Sequence, residues 1–312
     1  MSRLNILLIG LGNMGKIHKR VIESNNNTNL VGVVDSSFKK KLELKKGVKY
    51  YNNLNSVDFD NELIDGVIVA STTKSHYKIG KKILDLNIPV LIEKPVSINS
   101  REINLLLNQA KRKNTVFRAG LIEIYNPIFE YIKELKLKDI ISIHIFRHSQ
   151  SISNKRNLEN VLFDLALHDV SILGYLFNNP ELKLVGSNFS YNNKSLETSD
   201  LLFKYKSANI FLSSSRQSQL KIRKWNIQTK NKVYHADLVQ KNIDIYDSGS
   251  IKYPDANLLS LKTNHSTLSF ANQTETAQIQ LNKFVDDVKN KKIDTKHLEL
   301  IKYSNNIISS IN

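Results

Sequence analysis

The chain of 312 residues has 41% hydrophobic residues and a formal charge of +16, and it is long enough to form two domains that each bury a core. It contains no cysteine, which excludes disulfides, thiolate nucleophiles and cysteine-ligated zinc, so redox chemistry would require a bound cofactor. Its apolar runs are shorter than the roughly 18 residues of a membrane span, and we expect a cytoplasmic protein without a membrane partner.

The positive charge raises the question of nucleic acid binding. Lysines are spread through every segment and accompany many asparagines and isoleucines. This distribution is typical of a general compositional bias, whereas a nucleic acid interface concentrates its cations on one surface. We therefore expect no nucleic acid partner, and we note that the same charge would attract an anionic small substrate.

A glycine-rich motif follows the first predicted strand. The apolar run 4–10 leads into Gly10, Gly12 and Gly15, which form the pattern G-x-G-x-x-G. In a dinucleotide-binding loop these glycines allow a tight turn, close approach of the pyrophosphate and close packing of the next helix. That helix would direct the positive end of its dipole at the phosphates. The pattern predicts cofactor contacts along the loop, at Gly10, Gly12, Asn13, Met14 and Gly15, although a chance glycine turn has the same sequence.

An acidic residue stands where such a domain binds the adenosine ribose. The second apolar run ends in Asp35, 20 residues after the third glycine. A carboxylate there accepts hydrogen bonds from the ribose hydroxyls and repels a 2′-phosphate, which favours NAD over NADP. Two alternatives stay open: Asp35 could start a turn with Ser36 and Ser37, and Lys39 and Lys40 keep NADP possible.

Strands and helices alternate through the first 120 residues. The predicted strands cover 4–10, 30–35, 65–71, 89–95 and 115–120, and two of the predicted helices cover 78–87 and a segment that starts at about 99. This alternation predicts a doubly wound parallel sheet, a Rossmann fold, as a first domain over 1–120. Ligands of such sheets bind at the carboxyl ends of the strands.

Glu93, Lys94 and Pro95 occupy one of those carboxyl ends. A lysine in this position can donate a hydrogen bond to a substrate hydroxyl beside a nicotinamide, and the rigid φ angle of proline would fix the backbone that aims it. The alternative interpretation is an ordinary solvated lysine after a strand.

The second half contains a candidate acid-base pair. Residues 161–177 have helical periodicity, and Asp164 and His168 lie four residues apart on one face. A histidine exchanges protons near neutral pH, and a neighbouring carboxylate orients its ring. A surface ion pair is the alternative. The spacing of the other histidines does not supply a third ligand, and we expect no metal site.

Short alternating segments after residue 180 predict a largely antiparallel open sheet with one face covered by helices. Two helices close the chain. We therefore expect an α+β second domain over 121–312 for substrate binding and oligomerisation. The uncovered sheet face would serve as the interface of a homodimer or homotetramer.

Taken in order, GLGNMG, Asp35, EKP at 93–95 and DLALHD at 164–169 resemble the Gfo/Idh/MocA oxidoreductases over nearly the whole chain. The resemblance implies that Lys94, Asp164 and His168 line the substrate pocket. It also implies cofactor contacts outside the glycine loop, at Ser71, Thr73, His76, Glu93 and Lys94.

Within the family, residues 119–127 and 162–177 are similar to the UDP-N-acetylglucosamine 3-dehydrogenases. This similarity implies oxidation of a sugar 3-hydroxyl to a ketone, with hydride transfer from C3 to NAD. His168 would remove the hydroxyl proton, assisted by Lys94 and oriented by Asp164. Tyr125 would also contact the substrate. Two arginines are candidates for the diphosphate, because a guanidinium forks onto phosphate oxygens: Arg147 and Arg156.

The sequence departs from that pattern at four positions. Leu121 and Ile124 replace a histidine and an arginine, Thr72 replaces a proline, and Asn160 replaces a glycine. Three hypotheses therefore remain: a nucleotide-sugar 3-dehydrogenase, a dehydrogenase or reductase of a free sugar, inositol or polyol, and a non-catalytic NAD-binding regulator.

Overall fold

The computed structural model describes residues 2–135, 139–150, 159–248, 263–270 and 274–311. Its contacts divide the chain into two compact units. The first comprises Met1–Glu123 and Thr274–Ser309, and the second comprises Ile124–Gln273 and Ser310–Asn312. The predicted division at residue 120 therefore differs from the structure at the C-terminal end, where the closing helices pack with the first unit. Among the described residues, no helix combines the length and apolarity that a membrane span requires.

The first unit contains a six-stranded parallel sheet with the order β3-β2-β1-β4-β5-β6. Its strands are β1 Leu4–Ile9, β2 Thr28–Val34, β3 Lys49–Tyr51, β4 Gly66–Val69, β5 Val90–Glu93 and β6 Phe117–Gly120. The central strands are buried on both faces and are rich in Val, Ile and Leu, as parallel strands require. The strand order reverses between β1 and β4, which is the switch point where ligands of doubly wound sheets bind. The predicted Rossmann sheet is thus confirmed.

Three helices connect these strands: α1 Asn13–Ser24, α2 Thr73–Asp85 and α3 Ser100–Lys113. Each is amphipathic and buries its apolar face. The Asn99 side chain caps α3 by accepting a hydrogen bond from the backbone N–H of Arg101. The same helix ends at Asn114, which adopts the left-handed conformation with φ 49°.

The last two helices, α6 Thr276–Lys289 and α7 Thr295–Ser309, complete the first unit. Phe284 of α6 is fully buried in the core that contains β1. Arg118 of β6 is buried and donates to Asp287 at 2.7 Å and to Asp294 at 3.0 Å. The ring Nε2 of His297 accepts the backbone N–H of Ala119 at 3.1 Å. Buried polar contacts therefore fix these helices to β6.

This packing makes the stability of the protein depend on pH. Burial, assisted by the charge of Arg118, lowers the pKa of His297 from 6.5 to about 3. Between these values the unfolded chain binds a proton that the folded chain does not, so the free energy of unfolding falls as the pH falls below 6.5. Across that window this histidine alone lowers the free energy of unfolding by about 1.4 kcal/mol for each pH unit.

Urea unfolding at about pH 7 and about pH 5 measures this loss. The matched variant is His297→Gln, whose amide oxygen can still accept the Ala119 N–H but which does not titrate. We expect the variant to show a smaller difference between the two pH values. An unchanged difference would contradict the assignment to His297.

The second unit contains an eight-stranded sheet with the order β14-β13-β12-β11-β7-β10-β9-β8. Strands β7 and β10 are parallel and the other neighbours are antiparallel, which confirms the predicted largely antiparallel sheet. The strands are β7 Ile140–His148, β8 Lys183–Asn192, β9 Ser195–Tyr205, β10 Ala208–Ser215, β11 Ile222–Thr229, β12 Lys232–Asp237, β13 Asn242–Ser248 and β14 Thr263–Ser269.

Two α-helices of this unit, α4 Pro127–Ile132 and α5 Leu167–Phe177, bury their apolar residues against one face of the sheet. Phe129 of α4 lies edge-on to the fully buried Trp225 of β11, with ring centroids 5.1 Å apart. The indole N–H of Trp225 donates to Asp169 of α5 at 3.0 Å. The opposite face carries polar and half-exposed side chains, including His144 and His235.

Candidate functional site

The loop between β1 and α1 is shaped by close backbone packing at two glycines. Gly10 has φ +92°, and a Cβ there would lie 2.6 Å from the carbonyl oxygen of Ala70. A Cβ at Gly15 would lie 2.1 Å from the carbonyl oxygen of Gly10. No side chain fits at either position without moving the backbone. These two glycines are therefore required by the fold of the loop itself.

Gly12 differs from both. A Cβ there would meet no atom within 4 Å, and the residue is exposed at the N-cap of α1. The first intrahelical bond runs from Lys16 N to Gly12 O, and the first turn, which begins with Asn13 and Met14, contains no acidic side chain. Backbone N–H groups at the start of a helix attract anions. The loop thus has the open space and the polarity that a pyrophosphate needs.

Asp35 directly follows β2 and is held by two backbone amides. Its Oδ2 accepts from Leu11 N at 2.7 Å, and its Oδ1 accepts from Ser37 N at 2.8 Å. Each carboxylate oxygen can accept a second hydrogen bond, so both can still receive ribose hydroxyls. The turn with Ser37 and a role toward ribose are therefore compatible. The residues present fit NAD.

The predicted cofactor residues at the end of β4 and on α2 fall into two groups. Ser71 and Thr73 lie at the carboxyl end of β4 and at the start of α2, and both are partly exposed. His76 is buried, and its ring nitrogens lie 2.9 Å from the carbonyl oxygen of Pro95 and 3.0 Å from that of Ser71. The structure does not support the predicted cofactor contact of His76, because both nitrogens face backbone carbonyls. The residue instead connects α2 to two loops.

Glu93 is also buried. Its Oε1 lies 2.7 Å from Nε2 of His18 in α1, and its Oε2 accepts the backbone N–H of Lys94 at 3.2 Å. A Cβ at Gly120 would lie 2.7 Å from this carboxylate, so glycine makes room for it. These contacts hold the backbone of Lys94 in place, and the contact of Glu93 with the cofactor stays a prediction. Lys94 itself is half-buried.

No sequence motif marks His18. Its position three residues after Gly15, on the buried face of α1, is the signal that was present. A histidine on such a face needs a polar partner, and the chain supplies one in Glu93.

Asp164 and His168 lie on a helix that contains a turn of π-helix. The π turn covers Leu162–Ala166 and continues directly into α5. Side-chain Oδ1 of Asn160 accepts the N–H groups of Leu162 and Phe163 at 3.1 and 3.2 Å, so the residue that replaces a glycine begins the helix. Single π turns inside helices are rare, and many of those that are found lie at functional sites. The side chain of Asp164 is 26% exposed, and His168 is half-buried.

Arg216, which follows β10, contacts this turn. Its Nη1 lies 3.4 Å from Oδ2 of Asp164, and its Nε and Nη2 form a fork onto Glu197 at 2.8 and 2.9 Å. No sequence motif marks this arginine, because its partners come from distant segments of the chain.

Of the two arginines predicted to bind the diphosphate, the structure describes only Arg147. Arg147 is buried in β7, where its guanidinium forks onto Asp169 of α5. It therefore neutralises a buried carboxylate, and its predicted role as a diphosphate ligand is not supported. Arg156 lies outside the described residues and stays a prediction.

Two of the departures from the family pattern lie beside Tyr125. Tyr125 is partly exposed at the end of a short 3₁₀-helix, Ile122–Tyr125. Leu121 and Ile124 are 4% and 3% exposed, so the two apolar replacements are buried residues.

Among the residues that the structure describes, no group of three or more His, Asp or Glu could hold a metal ion.

Residues 4–121 match the profile of the Gfo/Idh/MocA oxidoreductase family, described as an NAD-binding Rossmann fold. The chain is 22% identical over 172 residues to UDP-N-acetylglucosamine 3-dehydrogenase of Acidithiobacillus ferrooxidans, covering 55% of this chain and 54% of that protein. It is 26% identical over 190 residues to glucose-6-phosphate 3-dehydrogenase of Bacillus subtilis, covering 54% and 53%. The chain thus spans about half the length of these curated relatives.

The fold matches over a greater length. A solved structure of the Acidithiobacillus ferrooxidans UDP-N-acetylglucosamine 3-dehydrogenase superposes with a TM-score of 0.84 at 16% identity, covering 99% of this chain and 96% of that chain. At this identity the similarity establishes the fold of the chain.

Proposed function

We propose, on the premise that residues 4–121 belong to the Gfo/Idh/MocA family of NAD-binding oxidoreductases, that this protein is an NAD-dependent sugar dehydrogenase. Our preferred reaction is oxidation of the C3 hydroxyl of a UDP-N-acetylhexosamine to a ketone. NADP is the alternative cofactor. The similarity to a UDP-N-acetylglucosamine 3-dehydrogenase supports the choice of substrate.

The observation that carries the proposal is the combination of an open position at Gly12 with a carboxylate held at Asp35. A helix N-terminus and an acidic residue at the next strand end are the two contacts that a dinucleotide requires from this fold. Bound NAD supplies a hydride acceptor, which the cysteine-free chain does not itself provide. The ordered Asp35 carboxylate favours NAD, because it would repel a 2′-phosphate.

The protein's own groups supply the acid-base chemistry. We assign to His168 the role of accepting the proton of the substrate hydroxyl, and to Asp164, four residues earlier on the same helix, the role of orienting its ring and stabilising the imidazolium that forms. The family resemblance assigns to Lys94 a hydrogen bond from Nζ to a substrate hydroxyl, which would lower the energy of a developing alkoxide. The Glu93 contact fixes the backbone that carries this lysine.

Ligand-induced stabilisation tests the substrate. UDP present at about 100 times its dissociation constant should raise the free energy of unfolding by about 2.7 kcal/mol, since it binds only the folded protein. Thermal unfolding with UDP, with uridine and with free polyols makes the comparison. If UDP does not raise the melting temperature but a free polyol does, the substrate is a polyol and not a nucleotide sugar. A screen of nucleotide sugars for NADH formation then identifies the sugar.

A free sugar, sugar phosphate, inositol or other polyol is the second candidate. The buried Leu121 and Ile124 favour it, since neither can provide the polar contact of the residues that they replace. The similarity to a glucose-6-phosphate 3-dehydrogenase points the same way. A protein that binds NAD but forms no NADH with any substrate at any pH would instead act as a regulator.

We further propose that the face of the eight-stranded sheet opposite α4 and α5 joins two or four copies of the chain. His144, Phe211 and Leu202 lie side by side across three strands of this face and are exposed or half-exposed. Sedimentation velocity tests this proposal, and a monomeric mass would contradict it.

A further inference from the structure

We propose that Arg216 is a positioning residue that fixes the Asp164 carboxylate and, through it, controls the affinity of His168 for a proton. The inference rests on the proposed function of Asp164 and His168 and adds a residue that neither the motifs nor the comparisons assign. It uses only contacts within the second unit.

Every N–H group of the Arg216 guanidinium has a hydrogen-bond acceptor. Its Nε and one Nη2 hydrogen are directed to the two carboxylate oxygens of Glu197, and the other Nη2 hydrogen has the carbonyl of Leu196 at 3.2 Å. The two Nη1 hydrogens have the Glu159 carbonyl at 3.0 Å and Oδ2 of Asp164 at 3.4 Å. All five N–H donors of the side chain thus have an acceptor. The side chain is 7% exposed, so water competes little for them.

These contacts join the segment before the π turn to the sheet. Glu159 and Asp164 lie on either side of the beginning of the helix, whereas Leu196 and Glu197 belong to β9. The planar fork of arginine can satisfy both sides at once, which a single ammonium group cannot do in the same geometry. The orientation of Asp164 therefore depends on a residue 52 positions further along the chain.

The charges form a sequence of alternating sign. Glu197 pairs with Arg216 and Arg216 pairs with Asp164, which stands four residues before His168 on the same continuous helix. A carboxylate near a histidine favours its protonated form, and a cation beside that carboxylate weakens the effect. Removing Arg216 should thus make His168 bind a proton more tightly. Removing the charge of Glu197 leaves Arg216 unbalanced and should make His168 bind a proton less tightly.

The experiment is an NMR titration of the histidine Cε1–H signals in Arg216→Gln and Glu197→Gln, with the His168 signal assigned from a His168→Gln spectrum. We expect the midpoint of the His168 titration to rise in Arg216→Gln and to fall in Glu197→Gln, each by about half a pH unit or more. Arg216→Lys retains the charge but not the fork, and its midpoint should lie between wild type and Arg216→Gln. This variant also serves if Arg216→Gln does not fold.

Arg20→Gln is the control, because Arg20 donates from Nη1 and Nη2 to the carboxylate of Glu275 at 2.9 and 2.7 Å, and the variant removes this forked pair without changing a residue of the second unit. Its His168 midpoint should not move. Midpoints that shift in the same direction in the Arg216 and Glu197 variants would indicate a general loosening and would overturn the proposal, as would no shift in either.

The titration needs no turnover, so it separates this inference from the proposed function. If the midpoints move as expected but no sugar is oxidised, the positioning role stands and the assigned reaction fails. If a sugar is oxidised but the midpoints do not move, the reverse holds. For an active enzyme, the acidic limb of the kcat/KM profile should move in the same directions as the NMR midpoints.

Discussion

Replacing His168 by alanine is expected to lower kcat at least about 100-fold, which is the usual cost of losing a general base. The hydroxyl proton would then have no acceptor of suitable proton affinity. The surface that binds the sugar would lose only the imidazole ring of His168. We therefore expect KM to change much less than kcat. Steady-state kinetics with saturating NAD and the nucleotide sugar identified by screening measure both constants.

The matched control for this substitution is His235→Ala, on the exposed face of β12 in the same unit. It should retain the wild-type kcat. Asp164→Asn should give an intermediate loss, because the amide can still orient the ring but carries no charge to stabilise the imidazolium. Normal turnover by His168→Ala would remove the proposed mechanism, whatever the identity of the substrate.

Replacing Gly12 by valine is expected to weaken NAD binding at least about 10-fold, equivalent to about 1.4 kcal/mol, while the protein remains folded. A Cβ at Gly12 meets no protein atom within 4 Å, and the residue has φ −76° and ψ −159°, which other residues also adopt. The branched side chain would therefore occupy the space that the pyrophosphate needs, and its cost to the helix N-cap should stay within about 1 kcal/mol. Calorimetric titration with NAD and thermal unfolding without it provide the two measurements.

Gly15→Ala is the informative comparison. Its Cβ would lie 2.1 Å from the Gly10 carbonyl oxygen, so this variant should lose thermal stability together with NAD affinity. Equal losses of stability in the two variants would mean that Gly12 also serves the fold. Unchanged NAD affinity in Gly12→Val would place the cofactor elsewhere.

The sequence predicted the features that arise from short segments. The glycine loop and Asp35 could be predicted because one strand, one turn and one helix bring them together. The same is true of Asp164 and His168, since a single helix fixes their spacing, although the π turn that carries Asp164 leaves no mark in the hydrophobic pattern. Parallel and antiparallel sheets were distinguished by whether helices alternate with the strands.

Features that depend on distant segments could not be predicted. Arg147 and Asp169 are 22 residues apart, and nothing local shows that the guanidinium points into the core and not toward a phosphate. Arg216 meets Asp164 only because β9, β10 and the π turn come together in the folded unit. In the same way, the helical pattern of 276–309 predicts where helices form, but it does not predict that they pack with the first unit.

The packing of α6 and α7 with the first unit affects how the chain folds during synthesis. The second unit contains strands and helices from one continuous stretch, and it can close while translation continues. The first unit must wait for α6 and α7, because until then Arg118 lacks its acidic partners and the core around Phe284 stays open. We therefore expect the first unit to finish folding last, with its core incomplete until α6 and α7 have been synthesised.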